Sequence, residues 1–170
     1  LGNALGIIGA LLHIINHAIT KGTLFLISGG ITWRTGISNI EDFSGLQKRV
    51  PLTMAVFVVA ALSMVGVPPM GGFFSKWYLA LGAVEADSWI FIAAIVISSL
   101  LNAVYFFRVI EDIYLKGKQT GGLEAEKNIK AKLEIPFTML VPIVILGLSI
   151  ILAGLLNDKI VSNILYFALP

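Results

Sequence analysis

The sequence contains no cysteine among its 170 residues, which excludes disulfide bridges and metal sites built from thiolates. Charged residues are also scarce: they make up 13% of the chain, whereas soluble domains average about 25%. The formal net charge is only +2, and the basic residues cluster in predicted loops, so we expect no nucleic-acid partner. We find no nucleotide-binding loop, no Ser-His-Asp arrangement and no cofactor motif, and we expect no cofactor.

Apolar residues dominate the chain instead. They account for 57% of the residues, and the mean hydropathy is +0.91. Soluble domains are roughly 45–50% apolar, so lipid is the simplest solvent for this composition. The chain opens Leu1-Gly2-Asn3 without an initiator Met or a signal-peptide pattern, and we expect it to be part of a longer polypeptide.

Five apolar segments are each close to the roughly 20 residues that cross a bilayer. The sequence therefore predicts an all-α membrane protein, a single transmembrane unit with about five spanning helices. The predicted spans are 5–33, 51–67, 69–84, 88–115 and 135–156. The second and third are joined by a Pro- and Gly-rich stretch, 66–72, which predicts either a tight turn or a broken helix. Transporters place such breaks at ion sites.

The loops predict the orientation. Five helices place the loops after the second and fourth on one side of the membrane and those after the first and third on the other. The Lys and Arg count is five in loop 116–134 against three (Arg34, Lys48 and Arg49) on the opposite side. The positive-inside rule therefore predicts that loop 116–134 is cytoplasmic. A short surface helix is predicted within this loop, over 123–133.

The first apolar segment carries an unusual polar ladder. His13, His17 and Lys21 are spaced four residues apart, so on a helix they form one slanting row about 12 Å tall, with Asn16 and Thr20 beside it. Ionisable groups at membrane depth are costly and are usually functional. Three interpretations stay open: a structural polar cluster, a metal site, and a proton relay, which we favour because histidine titrates near neutrality. A metal site lacks the Glu of H-E-x-x-H and an evident third ligand.

Lys76 is the second unusual residue, because it is a lysine about eight residues into the third apolar segment, directly after Ser75. Snorkelling to the interface is the alternative to a functional role, but that depth makes the interface hard to reach. Further polar residues, which we interpret as supporting, lie on the fourth segment: Asn102, Tyr105 and Arg108. Arg108 has Glu111 and Asp112 in pairing distance along a helix, which favours an anchor at the membrane interface.

Four stretches of the sequence, taken together and in this order, form a recognisable set of motifs. They are HIINHAITKGTLFLISGG, SGLQKRVPLT, ALSMVGVPPMGGFFSKWYL and SSLLNAVYFFRV. Together they resemble the antiporter-like proton-conducting subunits of respiratory complex I, membrane-bound hydrogenases and Mrp-type cation/proton antiporters. The resemblance implies that this chain is the C-terminal part of an inverted-repeat fold of roughly fourteen helices. It also implies an integral protein of a prokaryotic cytoplasmic membrane.

The resemblance implies roles as well. His13, His17 and Lys21 match the family's histidine-rich central helix, and Lys76 matches the lysine of its second discontinuous helix. The expected function is proton translocation, without redox chemistry of its own, in a larger redox-driven or antiport complex. The expected partners are other membrane subunits and the missing N-terminal portion. Which complex it serves, and whether sodium also moves, stay open, as do two alternatives: a non-conducting scaffold subunit and a quinone-binding chain.

Overall fold

The computed structural model describes residues 1–115 and 134–165, and all regular secondary structure in these two ranges is helical. The predicted all-α class is therefore confirmed. The helices are α1 (Ala4–Thr35), α2 (Leu46–Arg49), α3 (Pro51–Val65), α4 (Gly71–Glu85), α5 (Trp89–Tyr114), α6 (Phe137–Leu155) and α7 (Asn157–Ile160), with a 3-10 turn at Ile40–Phe43 and a π-helical turn at Val161–Leu165. The predicted cytoplasmic loop and its surface helix lie outside the described residues.

Helices lie over all five predicted apolar segments, but their lengths differ. By length and composition, α1, α5 and α6 can cross a membrane, with 32, 26 and 19 residues. Helices α3 and α4 have 15 residues each, which gives a rise of about 22 Å per helix. The hydrocarbon core of a bilayer is about 30 Å thick, so neither spans it alone as a straight helix. That all five segments cross the membrane stays a prediction.

The Pro- and Gly-rich stretch between α3 and α4 is a turn of five residues. Gly66 ends α3 in the left-handed region at φ 92°, a backbone conformation that only glycine adopts readily. Its N–H and that of Val67 both donate to the Leu62 carbonyl at 3.0 Å. The chain then passes through the cis Pro68-Pro69 peptide and enters α4 at Gly71. The turn leaves carbonyls at the end of α3 without partners inside the helix.

Helices α1 and α4 pack against each other in antiparallel directions. Asn3 caps the first turn of α1 with its Oδ1 and donates from Nδ2 to the Gly82 carbonyl at 2.7 Å. At the other end of the contact, Asn16 Nδ2 donates to the Gly71 carbonyl at 2.9 Å. Between them, Gly9 lies so close to the Leu79 backbone that a Cβ would not fit. Two side-chain amides and a small residue thus fix the register of this helix pair.

The N-terminus of α3 is held by a side chain from a distant part of the chain. Glu134, which lies just before α6, accepts the Leu52 N–H at 2.6 Å and the Thr53 hydroxyl at 2.9 Å. Pro51 occupies the first helical position, where its missing N–H costs nothing. A carboxylate is favourable here because a helix N-terminus carries partial positive charge. This contact ties the start of α6 to the start of α3.

The apolar core lies between α1, α3, α5 and α6. Ile27, Met54, Ile113 and Ile143 are among its members and are at most 1% exposed. Helix α5 contributes one stripe to this core, and most of its other apolar side chains are exposed in the isolated chain. An apolar surface of this extent needs lipid or further protein against it.

Candidate functional site

The two histidines lie one turn apart on α1, as the sequence predicts. Their rings stack with centroids 5.5 Å apart and an interplanar angle of 28°. His13 is half-buried towards α4, whereas His17 is exposed in the isolated chain. The stacked pair gives α1 two neighbouring groups that can each carry and release a proton.

His13 is held by a serine of α4. Its Nδ1 lies 3.2 Å from Ser75 Oγ, and that hydroxyl donates in turn to the Gly72 carbonyl at 3.0 Å. The tautomer of His13 is linked to this hydroxyl, because a serine that gives its one proton to the carbonyl can only accept from Nδ1–H.

The side chain of Lys76 points to the turn between α3 and α4. Its Nζ donates to the Met64 carbonyl at 2.9 Å, to the Val65 carbonyl at 3.0 Å and to Ser99 Oγ of α5 at 2.9 Å. The two carbonyls belong to the last residues of α3 and have no acceptor role inside that helix. A helix C-terminus also carries partial negative charge, which favours an ammonium. The lysine therefore joins three helices at one point.

A polar cavity of about 230 Å³ lies beside these groups. Its walls come from α1, α3, α4 and α5, and most lining side chains are polar or ionisable. The lining residues are His13, Asn16, His17, Thr20, Ser63, Met64, Gly72, Ser75, Lys76, Ser98 and Asn102. A cavity of this size and polarity has room for several water molecules. It brings together the two histidines and Lys76.

The buried polar residues of α1 also have partners around this cavity. Asn16 is 6% exposed and binds Gly71 as described, and Thr20, at 2%, lies with its Oγ1 3.3 Å from Ser63 Oγ. Asn102 contributes to the wall from α5. These contacts satisfy hydrogen-bonding groups that would otherwise be costly to bury.

Three of the sequence-predicted residues lie away from this cavity. Lys21 is exposed in the isolated chain and lines a second cavity of about 350 Å³, together with Tyr105 and mainly apolar side chains. Arg108 is exposed further along α5 and lines neither cavity. The structure therefore brings His13, His17 and Lys76 together, with Lys21 in a separate environment. In residues 1–115 and 134–165, no three His, Asp or Glu side chains cluster so that they could hold a metal ion.

Sequence reasoning missed the groups that bind Lys76. Ser99 stands next to Ser98 in an otherwise apolar stretch of α5, and this pair of hydroxyls is the one available signal. Ser63 is a similar isolated hydroxyl near the end of α3. The Met64 and Val65 acceptors are backbone carbonyls, which leave no mark in the sequence.

The chain also matches known proteins over most of its length. The family model "NADH:quinone oxidoreductase/Mrp antiporter, TM" matches residues 1–102. NADH-quinone oxidoreductase subunit N of Desulforudis audaxviator is 53% identical over 99% of this chain, and hydrogenase-4 component B of Escherichia coli is 30% identical over 96%. A chain in the Mrp complex from Dietzia superposes with a TM-score of 0.78 at 21% identity, over 93% of this chain and 36% of its own. The motif-based resemblance is thereby confirmed. The chain spans 35% and 25% of the two relatives' lengths.

Proposed function

The chain belongs to the NADH:quinone oxidoreductase/Mrp antiporter family of membrane proteins, and from this we propose that it forms part of a proton-translocating membrane subunit. The subunit works in a larger redox-driven or cation/proton antiport complex and carries out no redox step itself. Its partners are the other membrane subunits and the portion of the subunit outside this chain. The proton is the transported ion, and the proton relay consists of His and Lys side chains.

The observation that carries this proposal is the polar cavity beside His13, His17 and Lys76. A charged group such as Lys at the centre of a membrane helix costs about 2.5–3.5 kcal/mol on insertion scales, and here three ionisable groups surround one cavity with room for several water molecules. Groups that exchange protons need hydrogen-bonded neighbours or bridging water at each step. The cavity offers both, because His13 Nδ1 lies 3.2 Å from Ser75 Oγ and the space that His13 shares with Lys76 has room for water.

The proposed path runs along α1 and ends at Lys76, beside the turn after α3. A proton passes between the stacked His17 and His13, and from His13 through water in the cavity to Lys76. Lys21 continues the histidine row towards the second cavity and receives protons from the portion of the subunit outside this chain. The side of the membrane is part of the proposal, with loop 116–134 in the cytoplasm.

The scaffold alternative has one specific observation in its favour. The three hydrogen bonds of Lys76 cap the end of α3 and connect α4 to α5, which is a sufficient structural role for a half-buried ammonium. A test must therefore separate a lysine that alternates between protonation states from one that only holds helices together.

Three substitutions of Lys76 separate these roles in the reconstituted whole complex. If protonation and deprotonation are the chemistry, Lys76→Ala abolishes coupled proton translocation, and Lys76→Arg fails too because guanidinium does not deprotonate. Lys76→Glu keeps a titratable group and retains part of the activity. A structural anchor reverses the ranking, with Arg the mildest replacement and Glu the most harmful.

Proton translocation is measured in vesicles, with subunit content checked on a gel for each variant. Lys48→Ala is the matched control, because Lys48 is an exposed lysine of α2 and its loss should leave translocation unchanged. Full translocation by the Arg variant would remove Lys76 from the mechanism. Repeating the measurement without sodium tests whether the proton is the transported ion.

Orientation is tested on the same complex. The chain has no cysteine, so a single cysteine at Ser38, which is exposed, or within loop 116–134 reports one side. We expect an impermeant thiol reagent to label the loop position only from the cytoplasmic side and Ser38→Cys only from the other. The opposite labelling pattern would reverse the proposed orientation.

A further inference from the structure

The three acceptors around Lys76 are chemically different. The Met64 and Val65 carbonyls can only accept hydrogen bonds, whereas the Ser99 hydroxyl can accept or donate. In the charged state, the three N–H groups of the ammonium match these three acceptors one to one. Every donor on the nitrogen is then used.

The neutral amine has a different requirement. When one of these hydrogen bonds opens and that N–H gives its proton to a water molecule, the nitrogen keeps two N–H donors and gains a lone pair. Two donors are still satisfied by the two carbonyls of α3. The lone pair needs a donor, and of the three groups that bind Nζ, only the Ser99 hydroxyl can rotate and supply one.

We propose that Ser99 is a positioning residue for Lys76, because its hydroxyl binds the nitrogen in both protonation states and keeps it at the end of α3. The serine accepts from the ammonium and donates to the amine, so no proton is transferred to the serine itself. The inference rests on the proposed function of Lys76. It adds a residue on α5 whose role is to let the lysine change its charge without leaving its place.

The neighbouring serine provides a contrast within the same helix. Ser98 donates to the Ile95 carbonyl of its own helix at 3.0 Å, although it also lines the polar cavity. Ser99, by contrast, binds across to α4. The two hydroxyls are adjacent in the chain, and only Ser99 is seen to bind the lysine nitrogen.

Other titratable groups facing Lys76 come from α1. His13 and His17 line the same cavity, whereas the cavity walls from α3 and α5 carry Ser63, Met64, Ser98 and Asn102, which do not titrate near neutrality. A change in the pH profile on altering Ser99 therefore acts through Lys76 or the two histidines. A His13→Gln background separates the contribution of Lys76 from that of His13, because it removes that imidazole.

The experiment compares Ser99→Ala, Ser99→Thr and Ser98→Ala in the reconstituted complex across a range of pH. Loss of a hydrogen bond to a charged group is worth roughly a tenfold change or more, so we expect Ser99→Ala to lower proton translocation about tenfold. We also expect Ser99→Ala to change the pH profile of proton translocation, both in the otherwise wild-type complex and in the His13→Gln background. Ser99→Thr keeps the hydroxyl and restores most of the rate and the original profile. Ser98→Ala removes a hydroxyl that binds its own helix, and we expect it to lower the rate less than Ser99→Ala does.

Two results would overturn the inference. Ser99→Ala could show the wild-type rate and profile, or Ser99→Ala and Ser99→Thr could lose activity equally with unchanged profiles, which would indicate packing alone. Failure of the proposed function is recognised separately, because Lys76→Ala would then translocate protons normally. An inactive Lys76→Ala with a normal Ser99→Ala would reject only the role of Ser99.

Discussion

The two cavities along the α1 ladder are lined by different kinds of side chain. The smaller one, of about 230 Å³, has walls rich in hydroxyls, amides and imidazoles, and it contains His13, His17 and Lys76. The larger one, of about 350 Å³, is lined mainly by Leu, Ile, Val and Phe side chains, with Lys21, Ser28, Ser38 and Tyr105 as exceptions. The row His13, His17 and Lys21 on α1 thus runs from a cavity with mostly polar lining side chains to one with mostly apolar lining side chains.

The difference follows from where α4 begins. Gly71, the first residue of α4, lies opposite Asn16, so α4 accompanies only the first half of α1. Lys21 lies beyond that point, where α1 faces α3 and α5 through apolar side chains. Spacing along one helix decides which residues share a face, but the neighbouring helix decides what each of them contacts.

The largest expected effect comes from filling the wall of the polar cavity. A Cβ at Gly72 would overlap the Ser63 carbonyl oxygen, so Gly72→Ala must push α3 and α4 apart. Overpacking of this kind costs about 1–3 kcal/mol, and here it also disturbs the Ser75 acceptor. We expect a lower unfolding temperature and reduced content of the subunit in purified complex.

Gly22→Ala is the matched control for this substitution. A Cβ at Gly22 meets no atom within 4 Å in the described part of the chain, and alanine favours a helix by about 1 kcal/mol over glycine. Equal losses for Gly72→Ala and Gly22→Ala would show that the polar cavity is no more tightly built than the exposed face of α1.

An intermediate effect should separate the two ends of the ladder. His13→Gln can keep a hydrogen bond to Ser75 but cannot titrate, and proton transfer by a positioned side chain contributes about 100-fold or more. We therefore expect proton translocation in the reconstituted complex to fall at least about tenfold. Lys21→Gln, at the apolar cavity, should lower it less. A larger fall for Lys21→Gln would reverse the comparison.

The smallest effect is expected at Tyr105, in the larger cavity. Its side chain is 52% exposed, and surface substitutions usually change stability by no more than about 0.5 kcal/mol, or roughly twofold in an equilibrium. We expect Tyr105→Phe to leave proton translocation and its pH profile within about twofold of wild type. A strong loss would assign the tyrosine hydroxyl a place in the proton path.

The sequence predicts the helices well, and it singles out ionisable groups whose role in proton transfer stays a prediction. Long apolar runs punctuated by the prolines and glycines of 66–72 leave few alternatives to helices over these segments, and the structure has a helix over each. His13, His17 and Lys76 are conspicuous because charge is rare in such surroundings. The motif resemblance assigns these residues to two helices, and the structure places them around one cavity.

The partners of Lys76 could not be predicted in the same way. Two of them are backbone carbonyls, whose availability depends on Gly66 ending α3 at that residue. The third, Ser99, carries no charge and stands in an apolar helix whose rotation relative to α4 is set by packing. The separation of Lys21 from the histidines could not be predicted either, because it depends on where another helix, α4, begins.

The contacts at the two ends of α3 have a mechanical consequence. Glu134 holds the N-terminal turn through Leu52 and Thr53, and Lys76 holds the C-terminal carbonyls, so a strut about 22 Å long is pinned at both ends. Sliding α3 along its axis in one direction stretches the bonds to Glu134, and sliding it in the other stretches those to Lys76. When the lysine becomes neutral, its bonds to the two α3 carbonyls lose their charge assistance, so the C-terminal pin weakens and the carboxylate before α6 becomes the firmer axial tie of the strut.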